Sequence, residues 1–408
     1  MEEFDRLFEK TRPAFAQERT FERTRTLAIS SLVGLGRKTI SGLLCATSQQ
    51  FHDWSAAYRV FERQRFDTEA LFEPIRQEVV ERIGQGEPIS VMMDDTLIRK
   101  RGRKVHGAAW RRDPLGPPFN TNFVWGQRFL QISAALPDKS VPGRVRAVPI
   151  EFAHAPSPAR PAKKATDEQW ADYREKKKSM RLPHVGAQRL AQLRARMDAD
   201  QQLSRRIIVS VDGGYTNRTF LGSLPHDTVV IGRIRKDAHL FLQPAQGIGP
   251  GRRRFYGDPA PTPEQVRQDE SIPWITVQAF AAGKTHSFEI KTVAPLRWRC
   301  TSSQDVRLVV IRPLAYRPRK GCRLLYREPA YLLCTDTALP LDRLLQTYRA
   351  EFSGREDSSG RGRGAGSCSC CGRNGAGPYG GRICIANLGG YQMRAGRIGF
   401  ASSKMAKI

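Results

Sequence analysis

The sequence predicts a mixed α/β fold: a mixed sheet flanked by helices, preceded by a helical region and interrupted by a β-rich insertion. Three observations carry this. In residues 1–85 apolar side chains recur at helical spacing, with Leu71, Ile75, Val79 and Ile83 four apart and Phe72 beside them. Two apolar runs, ISVMM before Asp94 and IIVSV before Asp212, have the length of buried strands. Residues 271–335 hold the alternating and β-branched runs WITVQAF, HSFEIKTVAPLRW, VRLVVIRPL and YLLCTDT, a block of strands.

From Pro88 the helical pattern gives way to strands. ISVMM reads as a strand that ends at Asp94-Asp95-Thr96. The basic stretch RKRGRKVHGAAWRR follows, with Gly102 and Gly107 suited to turns. VHGAAW can return as a second strand, and FVWGQRFLQISAALP supplies a third. Pro and Lys dominate residues 137–164, which reads as a loop or linker. Thr166 and Gln169 have the spacing of a capping box, so a helix starts there, and Gly186, Leu190, Leu193 and Met197 mark one face of a second helix. RRIIVSV is the next buried strand, ending at Asp212-Gly213-Gly214, and Thr228 to Ile234 is another. After the Pro/Gly-rich basic segment QPAQGIGPGRRRFYGDPAPTP and the β block, PLDRLLQTYRAEF reads as a helix with Pro340 in its first turn. The expected divisions are 1–85, 86–238 as the first part of the core, 239–329 as the insertion, 330–353 as the last core strand with a truncated helix, and 354–408 as a tail.

The chain of 408 residues carries 67 Lys and Arg against 40 Asp and Glu, a net charge of +27. An excess of this size serves a polyanion, most commonly nucleic acid. Residues 1–85 are then either a DNA-contacting domain or a packing subdomain. No apolar run approaches the ~20 residues of a membrane span, and the acidic, amphipathic start MEEFDRLFEK is not a secretory signal. Membrane and secreted classes are set aside. Cys45, Cys300, Cys322 and Cys334 stand singly, as buried thiols do. The cluster at Cys368, Cys370, Cys371 and Cys384 has neither paired CxxC spacing nor a nearby His, so zinc is a weak reading. The histidines are dispersed, and no Walker-type loop, GxSxG elbow or Cys–His pair is visible. Trp125 and Trp170 could stack on a flipped or displaced base, but core packing is favoured for both.

Asp94 and Asp212 each follow a hydrophobic strand, 118 residues apart. Neighbouring strand ends can bring such carboxylates together, and carboxylates held close repel unless a cation bridges them. Mg²⁺ is the natural ion, and two ions roughly 4 Å apart can activate an attacking oxygen and stabilise the leaving one at a phosphodiester. The plainer reading is that both are turn residues at strand ends.

The segments VMMDDTLIRKRGRKVHGAAW, SVDGGYTNRTFL followed by VVIGRIRKDAHLF, and YLLCTDTALPLDRLLQTY resemble DDE transposases of bacterial insertion sequences. The resemblance is to the branch whose ribonuclease H-like core carries a β-strand insertion, and it spans roughly residues 15–350. It implies Mg²⁺- or Mn²⁺-dependent hydrolysis at transposon ends, followed by strand transfer into target DNA. It also implies a bacterial, cytoplasmic, nucleoid-associated protein that works on double-stranded DNA without a membrane, as a homodimer in a synaptic complex. Asp94 would be the first metal ligand, with Asp95 the alternative, Asp212 the second, and a Glu of the last helix the third. The DNA contacts expected are Arg99, Lys100, Arg101, Arg103, Lys104, Arg233, Arg235, Lys236, Arg252, Arg253, Arg254 and Tyr348.

The third carboxylate departs from the pattern. The family's last helix has Tyr, Arg three residues on, Glu four further, and Lys seven after that. From Tyr348 those places fall on Glu351, Arg355 and Gly362. Glu351 is the acid within the predicted helix, four residues early, or about 6 Å along a helix. Residues 354–399 hold 14 of the 35 glycines, and no acid follows Asp357. One reading is an Arg/Gly-rich RNA-binding tail, expected to be disordered. The favoured reading is a frame change: codons for EFSGREDSSGRGRGA can encode NFRDEKTLLGVGEAQ, the family's continuation, in a neighbouring frame. The eight Lys and Arg after residue 357 leave +19 on the rest, so the charge argument stands without them. The alternative to an enzyme is a DNA-binding remnant that no longer cuts.

Overall fold

A computed structural model describes residues 1–349 apart from 36–37, 63, 103, 114–121, 139, 142, 200–204, 245–253, 282–283, 303, 317–324 and 327. Glu351 and the tail expected to be disordered lie outside the described residues, as do Arg103, Arg252 and Arg253.

The N-terminal region is helical: α1 Glu2–Glu9, α2 Glu18–Val33, α3 Ile40–Ala46, α4 Trp54–Glu62 and α5 Thr68–Arg82. Phe8 and Phe21 anchor one small core, and Leu27, Leu43, Leu44, Val60 and Phe61 another. Asp67 caps α5 by accepting the Glu69 N–H at 2.9 Å, and the helix buries Leu71, Phe72, Val79 and Val80.

The strands follow as β1 Ile89–Arg99, β2 Ala109–Arg112, β3 Phe123–Pro137 and β4 Val145–His154. Then come α6 Asp167–Ser179, α7 Leu182–Ala199, β5 Ile207–Val211, α8 Arg218–Leu221, β6 Thr228–Arg233 and α9 Pro263–Gln268. The later strands are β7 Ile275–Ala281, β8 Lys284–Arg297, β9 Asp305–Ile311, β10 Ala315–Tyr316, β11 Leu325–Tyr326 and β12 Ala330–Cys334. A last helix, α10, covers 341–349, with the Leu344 N–H donating to the Pro340 carbonyl at 2.9 Å. Ten strands make one mixed sheet in the order β2-β3-β1-β5-β6-β12-β9-β8-β7, with β4 also paired to β3. β1, β5 and β6 are parallel; the other pairs in this sheet are antiparallel. The strands of the β-rich block continue the sheet beyond β12.

The Thr166–Gln169 capping box forms in both directions, at 3.2 and 3.3 Å, and α7 buries Gly186, Leu190, Leu193 and Met197. Two expectations are corrected. β1 does not end at Asp94; it runs to Arg99, because the long strand β3 keeps pairing with it as far as Gly126. Residues 137–164 are not all loop, since β4 lies within them, antiparallel to β3. Pro149 obscured that strand. It pairs with Ser133 where the register shifts after Ile132, so the missing N–H falls at an irregularity of the ladder.

The sheet has two unlike faces. On one, Val91, Met93, Leu130, Ile132, Val209 and Val211 pack with α5 and α7 into the largest core. On the other, Ile208, Val229, Ile231 and Leu332 pack under Leu344, Leu345 and Tyr348 of α10.

Candidate active site

The parallel pairing of β1 and β5 ends at Met93 opposite Val211, so Asp94 and Asp212 follow side by side on strands about 4.8 Å apart. Side chains alternate along a strand. Met93 and Val211 point into the α5/α7 core, so Asp94 and Asp212 share the opposite face, that of α10. A hydrogen bond supports the placement of Asp94: Ser90, four residues before it on the same face, meets Thr347 of α10 hydroxyl to hydroxyl at 3.0 Å. Asp94 is half-buried and Asp212 exposed. Each carboxylate is steadied by the next N–H in the chain. Asp95 donates to Asp94 Oδ1 at 2.8 Å, and Gly213 donates to Asp212 Oδ1 at 2.7 Å.

Asp95 points the other way. Burial pushes its carboxyl up to about 6, against the pull of Arg128 at 4.0 Å and with help from Asp94 and Asp212. Beneath it lies Tyr215, 1% exposed, drawn in by the turn in which its N–H donates to the Asp212 carbonyl at 3.0 Å. The Tyr215 hydroxyl has no hydrogen-bond partner among the described residues, and burial pushes it far up. Burial also lowers the Arg111 guanidinium to about 10. Tyr215 and Arg128 were missed by sequence reasoning, because nothing in the spacing of DGGYT or GQRF marks a side chain bound for the interior.

The expected DNA contacts divide. Arg101, Lys104, Arg233, Arg235, Lys236 and Arg254 are exposed. Arg99 is ion-paired to Asp113, and Arg235 to Asp237 at 2.9 Å. The Lys100 N–H is tied to the Trp125 carbonyl at 2.9 Å. Tyr348 is 3% exposed in the core under α10, and that burial removes it from reach of a DNA strand, because its ring fills the gap between helix and sheet.

A family model for DDE superfamily endonucleases matches residues 12–303. The chain belongs to this family. The matched span includes both Asp94 and Asp212, and membership makes DNA the substrate class and a nuclease or transposase type of reaction the activity. Among curated proteins none matches the chain. Divalent metal ions are general to DDE superfamily nucleases, and the pair fits such an ion chemically. Asp94 and Asp212 offer hard carboxylate oxygens on adjacent strands, and Mg²⁺ takes one or two carboxylates while keeping waters. No group of three His, Cys, Asp or Glu residues able to hold a metal occurs among the described residues. No helix among them is long and apolar enough to cross a membrane.

Proposed function

We propose that this DDE superfamily endonuclease is the transposase of an insertion sequence, and that its end-cutting is impaired. The observation that carries the reading is the placement of Asp94 and Asp212 at matching positions of two parallel strands under α10. In this reading residues 1–85 precede a ribonuclease H-like core that the 239–329 block interrupts, and the exposed Arg101, Lys104, Arg233, Arg235, Lys236 and Arg254 hold DNA phosphates. Asp94 and Asp212 would hold Mg²⁺ or Mn²⁺, which when bound supplies a Lewis acid for the attacking and leaving oxygens of the phosphodiester. The two backbone donors keep the carboxylates from rotating away, and the rigid ladder keeps them adjacent. A protein so built would hydrolyse the bond at the transposon end and pass the freed 3′-hydroxyl to target DNA, within a homodimeric synaptic complex in the bacterial cytoplasm.

Impairment rests on the sequence register. Glu351 follows Tyr348 by three residues where the pattern asks for seven, and Arg355 stands at the expected place. The frame change proposed for the tail accounts for this, and the same register favours the second reading, a DNA-binding remnant without catalysis. The test compares Mg²⁺-dependent strand cleavage by this chain with that by a version whose neighbouring frame is restored and missing codons supplied. Cleavage by the restored version alone, abolished by Asp212→Ala, is expected. Equal cleavage by both would overturn the impairment, and none by either would overturn the transposase reading.

A further inference from the structure

The face that carries Asp94 also carries an aromatic group for which the cutting chemistry has no use. Asp94 pairs with Gln131, so Gln131, Phe129, Gln127, Trp125 and Phe123 of β3 lie on its side of the sheet. β2 widens the row: Trp110 stands opposite Trp125, and Arg112 opposite Phe123. Near the carboxylates the row is closed, with Phe129 buried and stacked on Phe152 and His154 at 5.0 and 4.9 Å. Farther out it opens, and Trp110 is 68% and Phe123 56% exposed. Rings that large are seldom left in water without a partner.

The group is built rather than frayed. Trp125 donates its Nε1–H to the Gly102 carbonyl at 2.9 Å, and Gln127 its side-chain amide to the His106 carbonyl at 2.7 Å. These bonds lay the basic loop around Gly102 and His106 against the same side. Trp110 is braced by Trp125 at 5.8 Å with the planes 60° apart, so the two do not stack and the outer ring face stays open. The surrounding exposed charges are the cations Arg101, Lys104 and Arg112, while Asp113 is buried against Arg99. Open aromatic faces interleaved with cations suit unpaired nucleotides, whose bases stack while their phosphates are neutralised. An apolar protein partner would leave these cations unmatched.

We infer that Trp110, Trp125 and Phe123 form a stacking platform for unpaired DNA bases beside the cleavage site, with Arg101, Lys104 and Arg112 on the phosphates. The placement relative to cleavage rests on the proposed function; the platform itself does not. From Gln131 to Trp125 the strand rises about 20 Å at 3.4 Å per residue, or about six base steps at 3.4 Å each. A transposon end opened over that length would reach the platform from the carboxylates.

The test uses the full chain and fluorescence anisotropy at one fixed salt concentration. The probes are a blunt duplex, the same duplex with one strand unpaired over its last several nucleotides, and an oligo-dT strand. The wild-type chain should prefer the opened duplex to the blunt one by on the order of tenfold, the scale of stacking one or two bases. Trp110→Ala and Phe123→Ala should remove most of that preference and leave blunt-duplex affinity within about twofold, while Trp110→Phe retains it. Equal weakening on both duplexes, or an unchanged preference in Trp110→Ala, would overturn the platform, as would a wild type that binds both alike. Should either alanine variant not fold, Trp110→Phe decides: the wild type should lose tryptophan fluorescence on binding oligo-dT, and the Phe variant should lose less. An identical fluorescence loss would count against the platform. Because the readout is binding, it separates from cleavage: Asp94→Asn should keep the preference whether or not the chain cuts.

Discussion

Asp94 and Asp95 are neighbours in one strand, yet they face opposite sides of the sheet. The first shares an open face with Asp212, where backbone N–H groups hold the carboxylates and α10 roofs only part of the sheet. The second faces the α5/α7 core, where burial lifts it to about 6 and the buried Tyr215 hydroxyl lies in the same field. The pleat alone makes this difference, and in the proposed function it is the ground for assigning the metal to Asp94. In that proposal Asp94 shares its face with Asp212, whereas Asp95 lies behind the strand beside Arg128.

The sharpest break of this comparison is to neutralise each acid in turn in the frame-restored version. Asp94→Asn should cost several kcal/mol of transition-state stabilisation, on the order of a thousandfold in cleavage rate. Asp95→Asn keeps the open face intact and should cost about ten- to a hundredfold, the range of residues that orient a metal ligand. Single-turnover cleavage of a labelled transposon end measures both. Equal losses would mean that the pleat does not separate their roles.

A pair of glycines probes the same two faces by shape. A Cβ on Gly186 would come within 2.9 Å of Tyr215 Cε1 and 3.4 Å of Met93 Cε, inside the packed core. Gly186→Ala should therefore destabilise by about 1–3 kcal/mol, overpacking outweighing the helix propensity gained. Gly214, just past Asp212, has nothing within 4 Å of such a Cβ. Gly214→Ala should stay within about 0.5 kcal/mol, as exposed substitutions do. Urea midpoints of the two variants test the contrast, and a larger loss at Gly214 would invert it.

Much of the carboxylate pair was legible in the sequence, because an apolar run that gives way to an acid marks where a strand leaves the core. The cap at Thr166 and the buried stripe of α7 were legible for the same local reason: each pattern lies within one element. What stayed hidden depended on a partner far along the chain. β1 runs past Asp94 only because β3 pairs with it, and β4 survives Pro149 only because β3 shifts register there. The exposed aromatic row was equally hidden. Trp125 alone suggests core, and it takes the pairing with Trp110 at the sheet edge to show rings open to solvent. The third carboxylate is a separate matter, since the short spacing from Tyr348 to Glu351 is itself written in the sequence.

The smallest effect expected concerns pH and a second acid on the closed face. Glu151 of β4 is 3% exposed, and burial raises its pKa although Arg189, Arg196 and Arg76 pull it down; Glu69 adds to the rise. Arg189 reaches Oε1 at 3.2 Å, while Oε2 is buried without a partner among the described residues. A carboxyl raised by folding binds its proton more tightly in the native state than in the unfolded one. Its contribution to stability is present below the ordinary carboxylate range and is lost as pH rises through the elevated value. Glu151→Gln keeps the shape and cannot titrate. The stability of the wild type relative to this variant should thus decline from about pH 4 to pH 7, read as the difference between their urea midpoints at each pH. A difference that grows with pH instead would show Glu151 ionised and net favourable in the fold, with Arg189 outweighing burial. The closed face would then tolerate charge as the open one does, and the contrast between the two faces would narrow to the pair at Asp94 and Asp95.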